Sequence, residues 1–270
     1  MTEVEAFRKA IDFANEKDLK RVKIFSNSRS ALIVMRLTNE RRNVINLKEY
    51  IKEREEGTVN VPSTSTWPIV PTAHETVANA SMWALYLIGL YPEVQAKMHN
   101  EIDQIFGEDL ERHVTEKDLV DLQYLDCVLK ECSRLYPTIP IFAREAKEDI
   151  KICGYTIPKG TTCVIPPYFL HRDEDVFPDP EKFDPDRFSP ENSASIPECA
   201  YIPFSVGPRN CIGFKYAETE LKIMICSLLR NFTIESLDPR HEIVPIMNVT
   251  LGSLTPIRTR IRSRTFHKSS

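Results

Sequence analysis

The chain has 270 residues, of which 42% are hydrophobic, and its 35 basic and 39 acidic side chains leave a formal net charge of -4. This composition is typical of a globular protein and gives no reason to expect a nucleic-acid or anionic-membrane partner. Seven cysteines without a C-x-x-C pair, and without an apolar leader before them, indicate reduced thiols in an intracellular compartment. The most apolar stretch, residues 82–90, is too short to cross a bilayer, so no membrane-spanning segment is predicted.

The first part of the chain, residues 1–60, has the pattern of a small β/α piece. Helical patterns cover residues 2–16 and 29–56, and a short strand is predicted at residues 22–25. Residues 61–71 contain three prolines and four hydroxyl side chains, which disfavour both helix and regular strand. We therefore predict a linker there.

Longer helices follow the linker. The first is predicted from about Ala73 to Leu90, and the second begins at Pro92 and ends at Gly107. The third is predicted at residues 122–135, because two prolines follow it closely.

The rest of the chain alternates between strand patterns and irregular segments. Residues 150–165 predict a β-hairpin or a pair of short strands, and residues 173–213 form a proline-rich stretch without periodicity. A last helix is predicted from Cys211 to Arg230, followed by a tail with short strands. The whole pattern predicts a mainly α fold with small β-sheets (α+β), preceded by the small β/α piece.

One motif, Phe-Ser-Val-Gly-Pro-Arg-Asn-Cys-Ile-Gly at residues 204–213, places Cys211 in a glycine-containing turn at the predicted helix start. The helix dipole and backbone N–H groups stabilise a thiolate at such a place, which makes it a good metal ligand. Gly207 and Gly213 let the backbone approach a flat ligand, and Arg209 can pair with a carboxylate. A buried cysteine at a helix start is the alternative for a single residue, but the joint occurrence of these positions favours a ligand site.

These residues match the heme-binding signature F-x-x-G-x-R-x-C-x-G at every fixed position, so the sequence resembles the C-terminal half of the cytochrome P450 fold. The resemblance implies heme b (iron protoporphyrin IX) as the cofactor, with Cys211 as the axial iron ligand, and thiolate electron donation that favours O–O cleavage. It places Arg209 and Arg144 on the heme propionates. Phe204 can pack beside the sulfur, and Gly213 completes the signature.

Glu131 and Arg134 lie three residues apart and so share one face of the third helix. Alone, such residues usually form an exposed ion pair worth a few tenths of a kcal/mol. Residues 183–188, Phe-Asp-Pro-Asp-Arg-Phe, resemble the family's P-x-R-F element. That resemblance implies that Arg187 joins the pair in a buried charge network that locks the loop carrying Cys211.

Residues 73–76, Ala-His-Glu-Thr, resemble the oxygen-activation segment of the family's central helix. The resemblance implies that Glu75 and Thr76 relay protons to dioxygen, whereas the alternative is an ordinary polar helix face. Residues 83–95 continue as in the branch of the family that oxidises fatty acids at or near the chain end. That branch often has a heme-linked Glu where this chain has Thr72, which cannot form the ester.

Residues 1–60 resemble the interior of a retroelement ribonuclease H domain, with Glu5 at a catalytic position. Asn27 stands where that family has a catalytic Asp, so a two-metal carboxylate site cannot assemble properly, and we predict an inactive fragment. A nuclease is therefore a weak alternative.

The resulting organisation is a ribonuclease H-like fragment (1–60), a linker (61–71), the heme-binding region (72–262) and a tail (263–270). The resemblance implies a monooxygenase that inserts one atom of O2 into an apolar small molecule such as a fatty acid. An NADPH-dependent reductase would supply the electrons. The alternative is a non-catalytic truncated or fused gene product that retains the heme-binding signature. The family implies the endoplasmic reticulum membrane, and a chain without the family's anchor would be cytoplasmic.

Overall fold

The computed structural model describes residues 69–107, 109 and 112–264, with side chains from residue 75 onward. The helices of these residues are α1 (Ile69–Leu90), α2 (Pro92–Phe106), α3 (Glu116–Asp121), α4 (Gln123–Leu135), α5 (Pro167–Leu170), α6 (Pro190–Ser193) and α7 (Phe214–Asn231). Short 3₁₀ turns span Pro185–Phe188 and Arg240–Glu242. The strands are β1 (Phe142–Glu145), β2 (Ile150–Ile152), β3 (Tyr155–Ile157), β4 (Thr162–Ile165), β5 (Phe232–Ser236), β6 (Pro245–Met247), β7 (Leu251–Ser253) and β8 (Thr259–Ser263).

The strands pair in four antiparallel ladders of two strands each within the described residues: β1 with β4, β2 with β3, β5 with β8 and β6 with β7. Arg144 of β1 lies opposite Cys163 of β4. Two-stranded sheets are marginally stable by themselves, so each depends on the elements that pack against it. The predicted mainly α fold with small sheets is confirmed.

The described chain divides into two compact units. The loop unit comprises residues 127–212 and 245–253. The helical unit comprises the described parts of residues 27–126, 213–244 and 254–270. The boundary falls within α4, so this helix contributes residues to both units.

The helical unit is built around the C-terminal half of α1, where residues 83–88 are all buried. A helix that is apolar on every side is expected in a core. Buried Gln95 of α2 donates to the carbonyls of Ile88 (3.1 Å) and Ile234 (2.8 Å) and accepts the Ile234 N–H (2.8 Å). One side chain therefore joins α1, α2 and β5 with its polar atoms satisfied.

The loop unit contains residues 173–212 of the proline-rich stretch, which are anchored by a small aromatic cluster. Phe177 and Phe188 are buried together with Cys127 of α4, and Tyr201 packs against them. Pro185 and Pro190 begin the short helical turns of this stretch, a position where the missing proline N–H costs nothing. Lack of periodicity in the sequence thus corresponds to a compact segment made of single turns.

The predicted long helices are confirmed, with small shifts at their ends. The first helix ends at Leu90, the second spans Pro92 to Phe106, and Gly107 follows with a φ of 58°. The first helix begins at Ile69, inside the stretch predicted as a linker. Pro71 lies in its first turn, where the backbone N–H of a helix has no intrahelical partner to lose.

The predicted start of the last helix at Cys211 was wrong, because α7 begins at Phe214 with Gly213 before it. The Cys211 N–H is bonded back to the Phe204 carbonyl at 2.9 Å, which holds Cys211 in the preceding turn. Arg144 lies on strand β1, which the sequence pattern did not predict. The hairpin within residues 150–165 is confirmed as β2 and β3, while β4 pairs with β1 instead.

The ribonuclease H-like fragment predicted at residues 1–60 lies outside the described residues, as does most of the predicted linker. In the part of the chain that the structure describes, no helix combines the length and apolar character needed to span a lipid bilayer.

Candidate functional site

The segment 204–213, called here the cysteine loop, is held in a closed turn by its own backbone. The Cys211 N–H donates to the Phe204 carbonyl (2.9 Å), and the Asn210 N–H donates to the Gly207 carbonyl (3.1 Å). Ser205 and Gly207 have φ angles of 62° and 82°, in the left-handed region that favours glycine. The Cys211 side chain is exposed at the end of this turn. The chain therefore presents the thiol outward on a fixed backbone.

Arg144 of β1 fastens the cysteine loop from a neighbouring element. One of its guanidinium nitrogens, Nη2, donates to the Ser205 hydroxyl (2.9 Å) and to the Arg209 carbonyl (3.2 Å). The guanidinium also lies over the Phe142 ring at 4.8 Å. The structure thus brings Arg144 and Arg209, two residues singled out in the sequence, onto the loop that carries Cys211.

Glu131 and Arg134 form an ion pair with both side chains fully buried. The Arg134 Nε donates to Glu131 Oε2 (2.7 Å) and its Nη2 donates to Oε1 (2.8 Å), a bidentate arrangement. Burial raises the pKa of Glu131 above its ordinary value, and the Arg134 guanidinium opposes that rise. The Asp184 N–H also donates to Glu131 Oε1 at 2.9 Å. A buried pair with these additional bonds fixes the start of the 3₁₀ turn that follows Asp184.

Arg187 reaches the same carboxylate from that 3₁₀ turn. Its Nε lies 3.6 Å from Glu131 Oε1, and its Nη2 donates to the carbonyls of Pro178 (2.5 Å) and Asp179 (3.1 Å). Arg134 donates in addition to the His171 and Lys182 carbonyls, at 2.9 and 3.1 Å. The structure therefore brings Glu131, Arg134 and Arg187 together. These three residues, called here the charge cluster, tie α4 to several turns of the proline-rich stretch.

Glu75 and Thr76 lie on α1 in the helical unit, with Glu75 exposed and Thr76 half-buried. Cys211 belongs to the loop unit. The assignment of Glu75 and Thr76 to proton delivery therefore stays a prediction. Their adjacency on one helix keeps an acidic and a hydroxyl side chain within a single turn.

Sequence reasoning missed two polar side chains that bond to the cysteine loop or to the segment before it. Ser205 follows Phe204 at a position that the signature leaves variable, and its hydroxyl meets Arg144. His171 ends α5 and is fully buried. No local pattern marks a histidine for burial, so only tertiary packing reveals it, whereas the seryl hydroxyl inside the signature could have been noted as a partner for an arginine.

The seven cysteines are all free thiols in very different surroundings. Cys153, Cys199 and Cys211 are exposed and Cys163 is intermediate, whereas the others are buried. Burial raises the pKa of the Cys226 thiol to about 12 and raises that of Cys132 as well. A thiolate ligand at neutral pH is therefore not expected from these two buried residues.

The donor set fits the heme implied by the sequence. Within the described residues, no three His, Cys, Asp or Glu side chains converge as a metal site. A single outward thiolate suits an iron whose equatorial ligands all come from a porphyrin, as in heme-thiolate proteins. A Cβ built on Gly207 or Gly213 meets nothing within 4 Å, so the backbone beside the thiol is open to a flat ligand. Arg144 and Arg209 are cations that could pair with its carboxylates.

The family model described as Cytochrome P450 matches residues 5–261 of the chain. This range begins within residues 1–60, whose likeness to ribonuclease H stays a prediction. Cytochrome P450 4V2 of Rattus norvegicus is 53% identical over 170 residues, which are 63% of this chain and 32% of that protein. Cytochrome P450 4c3 of Drosophila melanogaster is 44% identical over 191 residues, which are 71% of this chain and 36% of that protein. The chain spans about a third of the length of these curated relatives.

Solved structures of cytochromes P450 are also similar to this chain. A crystal structure of a cytochrome P450 (CYP102L1) aligns with a TM-score of 0.66 and 31% identity, covering 71% of this chain and 43% of that chain. The heme domain of cytochrome P450DA aligns with a TM-score of 0.66 and 30% identity, covering 71% of this chain and 42% of that chain. The described helices and small sheets are thus similar to parts of known heme domains.

Proposed function

Because the chain belongs to the cytochrome P450 family, we propose that it binds heme b through the Cys211 thiolate as the heme-thiolate part of a monooxygenase. The observation that carries the proposal is the geometry of the cysteine loop, which presents an exposed thiol on a backbone fixed by Arg144. When bound, heme supplies the activation of dioxygen that inserts one oxygen atom into a substrate, with electron density from its thiolate ligand.

The residues around the thiol have separate tasks in this proposal. Arg144 has five guanidinium N–H donors. Among the described residues, the loop and the Ala143 carbonyl use three of them, and the other two would serve a heme propionate. Arg209, exposed on the loop, would contact the second propionate. Gly213 leaves space beside the thiol, and Phe204 fixes the Cys211 N–H through its carbonyl. These contacts orient the sulfur before any ligand arrives.

Glu75 and Thr76 are assigned to proton delivery on the strength of their resemblance to the oxygen-activation segment. A carboxyl and a hydroxyl side by side can hold and pass a proton over the length of one hydrogen bond each. Replacing Thr76 with Val is expected to lower the yield of oxidised product per electron consumed, without loss of the bound pigment. The measurement is product formed against NADPH consumed.

The substrate class, partner and location follow from the branch of the family that residues 83–95 resemble. We assign the chain an apolar substrate such as a fatty acid, electrons from an NADPH-dependent reductase, and the endoplasmic reticulum membrane. The relatives matched at 44–53% identity, named cytochromes P450 4c3 and 4V2, support a placement in that branch.

A carbon monoxide difference spectrum of the reduced protein, expressed with heme precursor, tests the axial ligand. The wild type is expected to show the thiolate-type Soret band, and Cys211→Ser is expected to lose it. Cys199→Ser is the matched control, because Cys199 is also exposed and lies in the same unit. An unaltered band in Cys211→Ser, or none in soluble wild type, contradicts the proposal.

Turnover of lauric acid with a reductase present tests the activity separately from cofactor binding. Formation of a hydroxylated product is expected. A thiolate-type band without turnover would leave the ligand assignment in place and favour the alternative of a non-catalytic product that retains the heme-binding signature.

A further inference from the structure

His171 connects the charge cluster to the segment that precedes the cysteine loop. It follows α5 and is completely buried, and its backbone carbonyl accepts the Arg134 Nη1–H at 2.9 Å. Its imidazole Nε2 accepts the Ile202 N–H at 2.9 Å. One residue thus receives a bond from α4 through its backbone and a bond from the segment before the loop through its ring.

The ring can act only as a neutral acceptor at this place. Because Ile202 donates to Nε2, that nitrogen carries a lone pair and the ring proton is on Nδ1. Within the described part of the chain, Nδ1 is buried and completes no hydrogen bond of ordinary geometry. Burial, with Arg134 nearby, lowers the pKa of His171 to about 3. The acceptor is therefore available throughout the physiological pH range.

Ile202 lies at the point from which the cysteine loop departs. Its carbonyl accepts the Ser205 N–H at 3.0 Å, and the Phe204 carbonyl two residues further on accepts the Cys211 N–H at 2.9 Å. Ile202 itself is buried, so removal of the imidazole leaves its N–H without a protein acceptor in a buried place. A displacement at Ile202 is thereby passed to Ser205, the hydroxyl partner of Arg144.

The residue beside Ile202 makes this connection stiff. The Tyr201 ring lies 5.1 Å from the His171 ring and 4.7 Å from that of Phe188. The Tyr201 hydroxyl donates to the Lys130 carbonyl of α4 at 3.0 Å. The backbone at residues 201–202 is therefore held from both sides, by a ring contact and by a hydrogen bond to the imidazole.

We propose that His171 is a positioning residue for Cys211, whose imidazole Nε2 fixes the Ile202 N–H and with it the start of the cysteine loop. This inference rests on the proposed role of Cys211 as the heme ligand. His171 contacts neither the sulfur nor, in this proposal, the heme, and it acts only through the backbone from Ile202 to Cys211.

Two amide substitutions at His171 test the role of Nε2, because only one of them keeps a hydrogen-bond acceptor at its position. His171→Gln puts a carbonyl oxygen near the position of Nε2, whereas the shorter side chain of His171→Asn puts its acceptor near that of Nδ1. The first readout is hydrogen–deuterium exchange of the heme-free proteins. We expect exchange at residues 202–211 to rise on the order of tenfold in His171→Asn, and to stay near the wild-type rate in His171→Gln. Exchange in the β2–β3 hairpin of the same unit should be unchanged in both.

The second readout is the fraction of reduced, carbon monoxide-bound pigment that carries the thiolate-type Soret band. We expect this fraction to fall in His171→Asn and to be restored in His171→Gln. Equal fractions and equal exchange in the wild type and both variants would overturn the inference, while the band itself would uphold the proposed ligand. A general rise of exchange that includes the hairpin in both variants would mean that His171 only stabilises the fold, and would also overturn it. If the wild type lacks the band, the ligand assignment fails, and the exchange data still decide whether His171 fixes the loop.

Discussion

The charge cluster of the loop unit and the ion pairs of the β5–β8 ladder use the same side-chain types in opposite surroundings. Glu131 and Arg134 are both 0% exposed. On the ladder, Glu235 is 46% exposed, and its partners Arg260 and Arg262 are 48% and 66% exposed. The nitrogen–oxygen distances barely distinguish the two regions, since the shortest is 2.7 Å in the charge cluster and 3.0 Å on the ladder. Burial is the difference.

This difference decides what each region contributes. Exposed pairs gain little because water and salt screen them and because two long side chains lose rotamer freedom. A buried pair is different: its net contribution is small against an apolar replacement, but removal of one partner leaves an uncompensated charge out of water. Loss of one member of the charge cluster should therefore destabilise the fold strongly, whereas replacement of one charged residue on the ladder should cost little stability. Three substitutions and one control variant test this contrast.

Arg134→Met should have the largest effect, because Glu131 then stays buried without its bidentate partner. We expect the free energy of unfolding to fall by about 3–5 kcal/mol, measured by urea denaturation with circular dichroism. Arg260→Met is the matched control on the ladder, where the guanidinium is half exposed. Equal losses in the two variants would remove the contrast between buried and exposed pairs.

Asp118→Asn sharpens the contrast at intermediate burial. Asp118 accepts from Arg112 at 2.8 and 2.9 Å and from the Thr115 N–H at 2.7 Å in a capping box. The Arg112 guanidinium holds the pKa of Asp118 well below its usual range. We expect a loss of about 1 kcal/mol at neutral pH, the ordinary value of a capping interaction.

The sign of the pH dependence follows from that lowered pKa. The stabilisation by Asp118 is fully present above the unfolded-state pKa of about 4 and is lost as the pH falls below it. The difference in unfolding free energy between wild type and Asp118→Asn should therefore shrink as urea titrations move to lower pH. A difference that grows on acidification would contradict the assignment.

Glu235→Gln should have the smallest effect. Removing one exposed carboxylate is expected to change the free energy of unfolding by less than about 1 kcal/mol, and the change should vanish at high salt. Thermal unfolding at low and high ionic strength measures both. A loss as large as that of Arg134→Met would place the ladder in the same class as the buried cluster.

The sequence predicted those parts of the fold that local chemistry determines. Pro92 and Gly107 mark the two ends of α2. Pro92 lacks a backbone N–H and therefore cannot extend a helix that precedes it, and Gly107 adopts a positive φ without a steric penalty. Helix α3 was missed although Thr115 and Asp118 have the spacing of a capping box. Strand β1 was missed because its four residues gain their hydrogen bonds only from β4, which lies far along the chain.

The candidate site divides in the same way. The signature around Cys211 is contiguous, so its residues could be named from the sequence, and the spacing of Glu131 and Arg134 predicted a shared helix face. The bonds from Arg144 to Ser205 and from His171 to Ile202 join distant segments. Such contacts depend on tertiary packing and leave no periodic trace.

Because the cysteines are unequally exposed, their rates of alkylation report the local opening of the structure around each of them. In the heme-free protein, a thiol-reactive reagent should modify Cys153, Cys199 and Cys211 at once, because these three are exposed. Cys132 lies in the loop unit and Cys226 in the helical unit, and both are buried. Each can be alkylated only when its own surroundings open. The alkylation rate of each cysteine, measured as mass gain on its peptide, therefore reports the opening rate of each unit separately.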